Sequence, residues 1–343
     1  MRLVALLAVA SLPGMAAITG TVINRTTGQP QAGATVGFYK LQEKFELSKQ
    51  ATTDAKGNFS IDDSADDPNP HMIRTTFQGV GYIHMVTPGS PTTGITLDVY
   101  NSSKQPGAAK VSKHMILFQP AGQQMTVNET YIIDNSGGTA WNDPDNGELH
   151  IWVPAAAAGK IDVNATAPQS MSIPADLVKT ASKEIYGVNF PIKPGQTRVD
   201  LDYALPYDSG APYKGKIVSK DENTYLVVPS GVSISGAGLN DLGVEPKTQA
   251  RLYGLKAASY EVQLTGSVTP AADSPASGGD SGAAASGDSS AESGAPQAEI
   301  AKPQVLGQMW PILGLGLGIL AIGFTILYRA SASGKETDER RRG

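Results

Sequence analysis

The sequence predicts an all-β body placed between two ends addressed to a membrane. Runs such as Arg198-Val199-Asp200-Leu201-Asp202-Tyr203 alternate apolar and polar residues with period two, the mark of strands with one buried face. Clusters of Gly, Pro, Asn and Asp break these runs at intervals of roughly ten residues, as sandwich architectures require. The two termini carry apolar segments of very different length.

The first element is the stretch MRLVALLAVASLPGMAA. One positive charge at Arg2, an apolar run from Leu3 to Leu12 and small residues before Ala17 predict a signal peptide over 1–17, cleaved after Ala16 or Ala17. The run is too short to cross a hydrocarbon core of roughly 30 Å as a helix. The chain has no cysteine, so neither a disulfide framework nor a lipidated cysteine is available.

Alternation then predicts a strand over Thr19 to Asn24, a turn at Thr27-Gly28-Gln29-Pro30 and a second strand from Ala34 to Leu41. The segment Thr53-Asp54-Ala55-Lys56-Gly57-Asn58-Phe59 sets Asp at the start of a turn and Gly where φ must be positive. Both turns read as hairpin instructions. A further strand falls over Thr93 to Val99.

The order G-x-V, T-G-x-P-x-x-G-A-x-V, then T-D-x-x-G-x-F resembles the carboxypeptidase regulatory-like domain. The matching residues are Gly20, Val22, Thr27, Gly28, Pro30, Gly33, Ala34, Val36, Thr53, Asp54, Gly57 and Phe59. The resemblance covers about residues 18–104 and implies a transthyretin-like (prealbumin-like) β-sandwich of the carbohydrate-binding-like fold group. It implies an appended structural or interaction unit with no catalytic residues of its own.

Residues 108–268 resemble no family we can name. Strands are expected over Met125 to Asp134, Gly147 to Val153, Gly159 to Thr166, Gln196 to Tyr203, Thr224 to Val228, Arg251 to Leu255 and Ser259 to Leu264. Only Pro174 to Ala181 reads as a short turn of helix. The region reads as a second β-sandwich; no linker composition interrupts it, and a division near Pro206 stays open.

From 269 to 305 the chain is rich in Ala, Ser, Gly, Pro and acidic residues, which predicts a flexible, self-repelling linker. Residues 306–328 hold the uncharged run Met309 to Tyr328, long enough for a transmembrane helix, with Trp310 and Tyr328 at its ends. Arg329, Lys335, Arg340, Arg341 and Arg342 in the tail 329–343 predict a cytoplasmic C-terminus and an extracytoplasmic body. Gly314 and Gly318 give a GxxxG spacing that would suit a homodimer, although glycine is common in membrane helices anyway.

For chemistry the sequence offers little. A net charge of −5 argues against a nucleic-acid partner. His71, His84, His114 and His150 form no zinc spacing, and His150 falls on the solvent phase of its strand. No G-x-S-x-G elbow occurs in the folded region and no thiol exists, so the chain reads as non-catalytic and without a cofactor. In the loop Trp141 to Glu148, Asp143, Asp145 and Glu148 are a calcium candidate, set against an Asx-rich turn. Trp141 is a candidate sugar-stacking platform, set against a packing lid. The run Asp62 to Asp67 reads as a solvated loop. Sequons occur at Asn24, Asn58, Asn101, Asn128 and Asn164. The expected function is a membrane-anchored extracytoplasmic binding or structural module of the cell envelope. Its partners would be the bilayer through the C-terminal helix and an envelope protein. Carbohydrate binding and an accessory role to an exported hydrolase are the alternatives.

Overall fold

The computed structural model describes residues 17–41, 44–65, 68–157, 160–219 and 223–268. Residues 1–16 of the expected signal peptide, the 269–305 linker, the 306–328 helix with Gly314 and Gly318, and the basic tail lie outside them. Among the described residues no helix is long and apolar enough to cross a membrane. They form an all-β protein whose single helical element is the 3-10 turn Ala155–Ala157.

The first unit contains β1 (Ile18–Asn24), β2 (Gln29–Pro30), β3 (Thr35–Leu41), β4 (Phe45–Thr52), β5 (Asn58–Ile61), β6 (His71–Phe77), β7 (Val80–Val86) and β8 (Ile95–Val99). In one sheet β5 and β2 follow each other along one edge of β1, and β8 runs parallel along the other. The second sheet has the order β4-β3-β6-β7. Inward residues of both, including Ile18, Val22, Val36, Phe38, Phe59, Ile73 and Val99, share one sandwich-like core.

The motif residues meet where the two-residue period brings them. Gly20 pairs with Phe59 across β1 and β5 and with Ile95 on β8. A Cβ on Gly20 would stand 2.2 Å from the Ile95 carbonyl oxygen and 2.6 Å from the Phe59 ring, so any side chain there collides with backbone. Gly28, Gly33 and Gly57 all take positive φ, at 72°, 70° and 74°. The first turn is the expected hairpin, between β1 and β2. The second is not, because β4 and β5 belong to different sheets. Asp54 accepts amide hydrogens from Lys56 and Asn58, both at 2.8 Å, and the turn carries the chain across the sandwich. Buried Thr53 fixes that corner, accepting from the Ala34 amide at 2.8 Å and donating to the Gln31 carbonyl at 2.7 Å.

The remaining strands are β9 (Ser102–Ser103), β10 (Ala109–Ala121), β11 (Gln124–Asn135), β12 (Ala140–Trp141), β13 (Leu149–Trp152), β14 (Ile161–Thr166), β15 (Ser172–Pro174) and β16 (Asp176–Lys179). They continue as β17 (Ile185–Asn189), β18 (Gly195–Pro206), β19 (Pro212–Lys216), β20 (Thr224–Val228), β21 (Val232–Gly236), β22 (Leu239–Val244), β23 (Arg251–Leu255) and β24 (Ser259–Gly266). An eight-stranded sheet runs β15-β14-β18-β11-β10-β20-β23-β22. Its one parallel pair is β10 with β20, joining His114 to Thr224 and Leu117 to Val227. Two three-stranded sheets, β13-β17-β16 and β19-β24-β21, contribute residues to the same hydrophobic core.

The expected helical turn over Pro174 to Ala181 is instead a strand, β16, paired antiparallel with β17. A segment this short has no stable helix of its own, and the ladder on β17 satisfies its backbone. Asp63, in the acidic run expected to be solvated, is also engaged: its side chain is 12% exposed and lies 2.8 Å from the Lys40 ammonium.

Candidate functional site

Trp141 sits at the joint between the two units. β12 pairs in parallel with β9, and the Ala140 amide donates to the Asn101 carbonyl at 2.8 Å. Because successive residues of a strand face opposite ways, Ala140 enters the first core and Trp141 packs against the second. Trp141 also exchanges both backbone hydrogen bonds with Ile192 at 3.0 and 2.9 Å. Its indole Nε1 is buried and makes no hydrogen bond. The ring is half-buried and packs against the second core, the geometry of a lid. The β6–β7 turn reinforces the joint. Gln78, held at φ 47°, accepts from the Ser102 amide at 2.7 Å and from the Ser102 hydroxyl at 2.9 Å.

The calcium candidate does not assemble. Glu148 is buried and turned inward, accepting amide hydrogens from Asp143 at 2.6 Å and Phe190 at 2.8 Å. Asp145 turns outward to the Lys104 ammonium at 2.5 Å, and Asp143 accepts from the Asn146 amide group at 2.9 Å. Among the described residues no three His, Cys, Asp or Glu side chains converge to hold a metal. Glu148 is a loop brace, and burial pushes its carboxyl above the ordinary range despite the two amides.

Acid and base groups do converge elsewhere, inside the larger core. Glu129 lies on the inward phase of β11 with Met125, Val127, Tyr131 and Ile133, and is 5% exposed. Its Oε2 lies 2.9 Å from His114 Nε2 and accepts from the Tyr131 hydroxyl at 3.0 Å; its Oε1 accepts from the Tyr203 hydroxyl at 2.5 Å. The His114 and Tyr131 rings stack at 3.8 Å. A bulge between Val111 and Lys113 resets the alternation of β10 and turns His114 inward. Side-chain hydrogen bonds extend the chain from Tyr203 to Tyr213 and on to Tyr260. It thus spans from the eight-stranded sheet to the β19-β24-β21 sheet. Burial, with the nearby Glu129 charge, drives the Tyr203, Tyr213 and Tyr260 phenols far up, so they remain hydroxyl donors. A polar phase inside an apolar alternation was the available signal: Glu129 occupies a position where its neighbours at i±2 are Val and Tyr.

Of the other histidines, His71 is buried beside Phe38 at a ring separation of 5.2 Å, His84 is half-buried and His150 is exposed as expected. Two surface cavities stand out. One, of about 610 Å³, lies on the outer face of β3 and β6; the other, of about 180 Å³, lies at the joint beside Asn135 and Thr139. Neither is lined by Glu129, His114 or the tyrosines joined to them.

The class these features define is an all-β, multi-sheet protein with a polar brace inside its larger core. No protein-family model and no curated protein matches the chain. Among solved structures, it is similar to an M1 zinc metallopeptidase from Deinococcus radiodurans at 12% identity and a TM-score of 0.23, over 46% of this chain and 42% of that one. A mutant of that enzyme, bound to a Tyr-ser-ala substrate, gives 12% identity and a TM-score of 0.24 over the same shares. The chain thus spans less than half of those proteins, and at this TM-score the likeness carries no argument.

Proposed function

We propose that this protein is a non-catalytic binding or structural module, exported and held at the cell envelope by its C-terminal helix, with its β body outside. The supporting observation is the placement of its acid and base groups. Glu129 and His114 are sealed in the core, bonded to each other and to phenols, and line neither cavity. A general acid or base must reach a substrate proton within about 3 Å or through one water. The surface is left to present loops, sheet faces and the half-buried joint.

The finer reading of 18–104 as a carboxypeptidase regulatory-like domain is supported by the meeting of Gly20 with Phe59 and by the positive φ of Gly28, Gly33 and Gly57. Export and anchoring rest on the apolar segments at 1–17 and 306–328 and on the basic tail. Crosslinking the full chain in its native membrane, followed by identification of captured neighbours, tests the reading. Recovery in the membrane fraction with a defined envelope protein is the expected result. A chain recovered free of membrane, or one that turns over a substrate, would overturn it.

A further inference from the structure

The larger cavity lies on the outer face of the β4-β3-β6-β7 sheet, and its shape follows from the register. Gln50, Gly37 and Arg74 form one cross-strand row; Thr35 and Thr76 belong to the next, which ends at Gly81. Gly37 and Gly81 leave two positions of this face without side chains. The Tyr39 ring and Leu47 close over Gly37, within 2.9 and 3.0 Å of where a Cβ would stand. The Arg74 guanidinium lies over Gly81 at 3.5 Å from the corresponding point. The result is a trough of about 610 Å³ whose lining includes the Tyr39 ring and the Arg74 cation.

The lining chemistry is one-sided. It offers the Gln50 amide, the hydroxyls of Thr35 and Thr76, and Arg74, beside the Gln31 and Gln78 amides that already hydrogen-bond to Asn24, Ala32 and Ser102, and it contains no carboxylate. Arg74 makes no ion pair with any described residue, and the side chains of Gln50, Thr35 and Thr76 make no hydrogen bond with one. A second cation reinforces the sign. Lys193 lies with its ammonium 4.9 Å from the centre of the Tyr82 ring, also without an ion pair among the described residues, and feels the Arg74 charge. A guanidinium without a counter-ion among the described residues, beside one uncommitted amide, two hydroxyls and a tyrosine, matches a ligand with both hydroxyls and a carboxylate.

We propose that this trough is a binding site for an acidic saccharide, a chain of uronic acid units whose carboxylate meets Arg74 and whose hydroxyls meet Gln50, Thr35 and Thr76. The carbohydrate reading therefore moves from Trp141 to the outer face of the first sheet, and Lys193 adds long-range attraction for the same charge. The inference rests on the reading of the body as a non-catalytic binding module.

Titration calorimetry of the full chain in detergent uses three probes: a tetragalacturonate, the neutral maltotetraose and a hexaglutamate peptide. The expected result is binding of the tetragalacturonate, weakened by salt, with at least a tenfold weaker response from maltotetraose and from hexaglutamate. Arg74→Gln should lower tetragalacturonate affinity by at least tenfold with an unchanged melting temperature, since the side chain is exposed and unpaired. Thr76→Val should lower it by a smaller factor. Equal binding of hexaglutamate would replace the saccharide with an acidic peptide, and equal binding of maltotetraose would remove the role of Arg74. No binding of tetragalacturonate, or binding that survives in Arg74→Gln, would overturn the site. Chromatography of the recovered probe separates the two claims. Cleaved tetragalacturonate would overturn the non-catalytic reading while leaving the site, whereas a silent titration leaves that reading to the crosslinking result.

Discussion

Phe38 and Phe118 are both fully buried, each at the heart of one unit, and what surrounds them differs. Among the described residues around Phe38, the buried polar ones are neutral hydrogen-bonding groups or a histidine: Asn24, Thr53, His71 and Thr75, with no buried carboxylate. The described residues of the unit holding Phe118 include three buried carboxylates, Glu129, Glu148 and Glu245. Each has its own set of donors. Glu148 takes two amides, Glu245 takes the Lys247 and Thr248 amides with the Thr248 hydroxyl, and Glu129 takes the tyrosine hydroxyls beside His114. The first unit sets its strand register by apolar alternation and by glycines that admit no side chain. The larger unit adds charged groups that are tolerable only in one alignment of its sheets.

The sharpest way to break this comparison is Glu129→Ala, which strips the acceptor from His114, Tyr131 and Tyr203 at once. A loss of about 3–5 kcal/mol in urea unfolding is expected. A change below about 1 kcal/mol would mean that the network does not hold the sheets in register. Next comes Trp141→Ala, which empties the lid over the second core beside a residue anchored in the first. A loss of about 2–3 kcal/mol and a lower melting temperature are expected. Unaltered melting would show that the ring is not a packing lid.

The rim of the first unit supplies a smaller, pH-dependent effect. Burial works to raise the Asp63 carboxyl, but hydrogen bonds from Lys40 and Ser48 outweigh it and hold the group at about 2, below its ordinary 3.8. A folded value below the unfolded one gives stability present above pH 4 and lost as the pH falls through 2. Asp63→Asn should therefore cost about 2 kcal/mol at pH 6 and almost nothing near pH 2. An acid limb identical to that of the wild type would refute the pairing.

Smallest, and opposite in sign, is Lys193→Met. Burial, aided by the Arg74 charge, brings the Lys193 ammonium down from 10.5 to about 8. The folded protein thus releases this proton before the unfolded chain does, and its share of stability rises from pH 8 to 10.5. Replacing it should gain about 1 kcal/mol at pH 7 after allowance for solvent, and nothing above pH 11. A loss at pH 7 would show that the stacking on Tyr82 outweighs the desolvation.

The sequence made parts of this picture readable, for reasons visible in particular residues. Thr224–Val228 and Arg251–Leu255 were expected with the bounds they have, because turn residues flank short apolar runs. Gly57 and Asp54 announced a turn but not its destination, since one Asx turn serves a hairpin or a crossing between sheets equally well. The Pro174 to Ala181 stretch was misread because local capping signals there are overruled by the ladder to β17. The 141–148 loop was located by composition, yet composition could not tell that Glu148 points inward while Asp145 points out. The Glu129 network escaped attention because its members are spread from His114 to Tyr260, and only the pleat brings them together.

The parallel seam between β10 and β20 sets an order of events in synthesis. It joins His114 to Thr224, so one edge of the longest hairpin stays open until the later strand has left the ribosome. During that interval β10 displays a free row of amides and carbonyls beside apolar side chains, a template for mispairing with another nascent copy. A chain truncated before Thr224 should therefore aggregate through β10, whereas one ending after β24, with the seam closed and the core complete, stays dispersed.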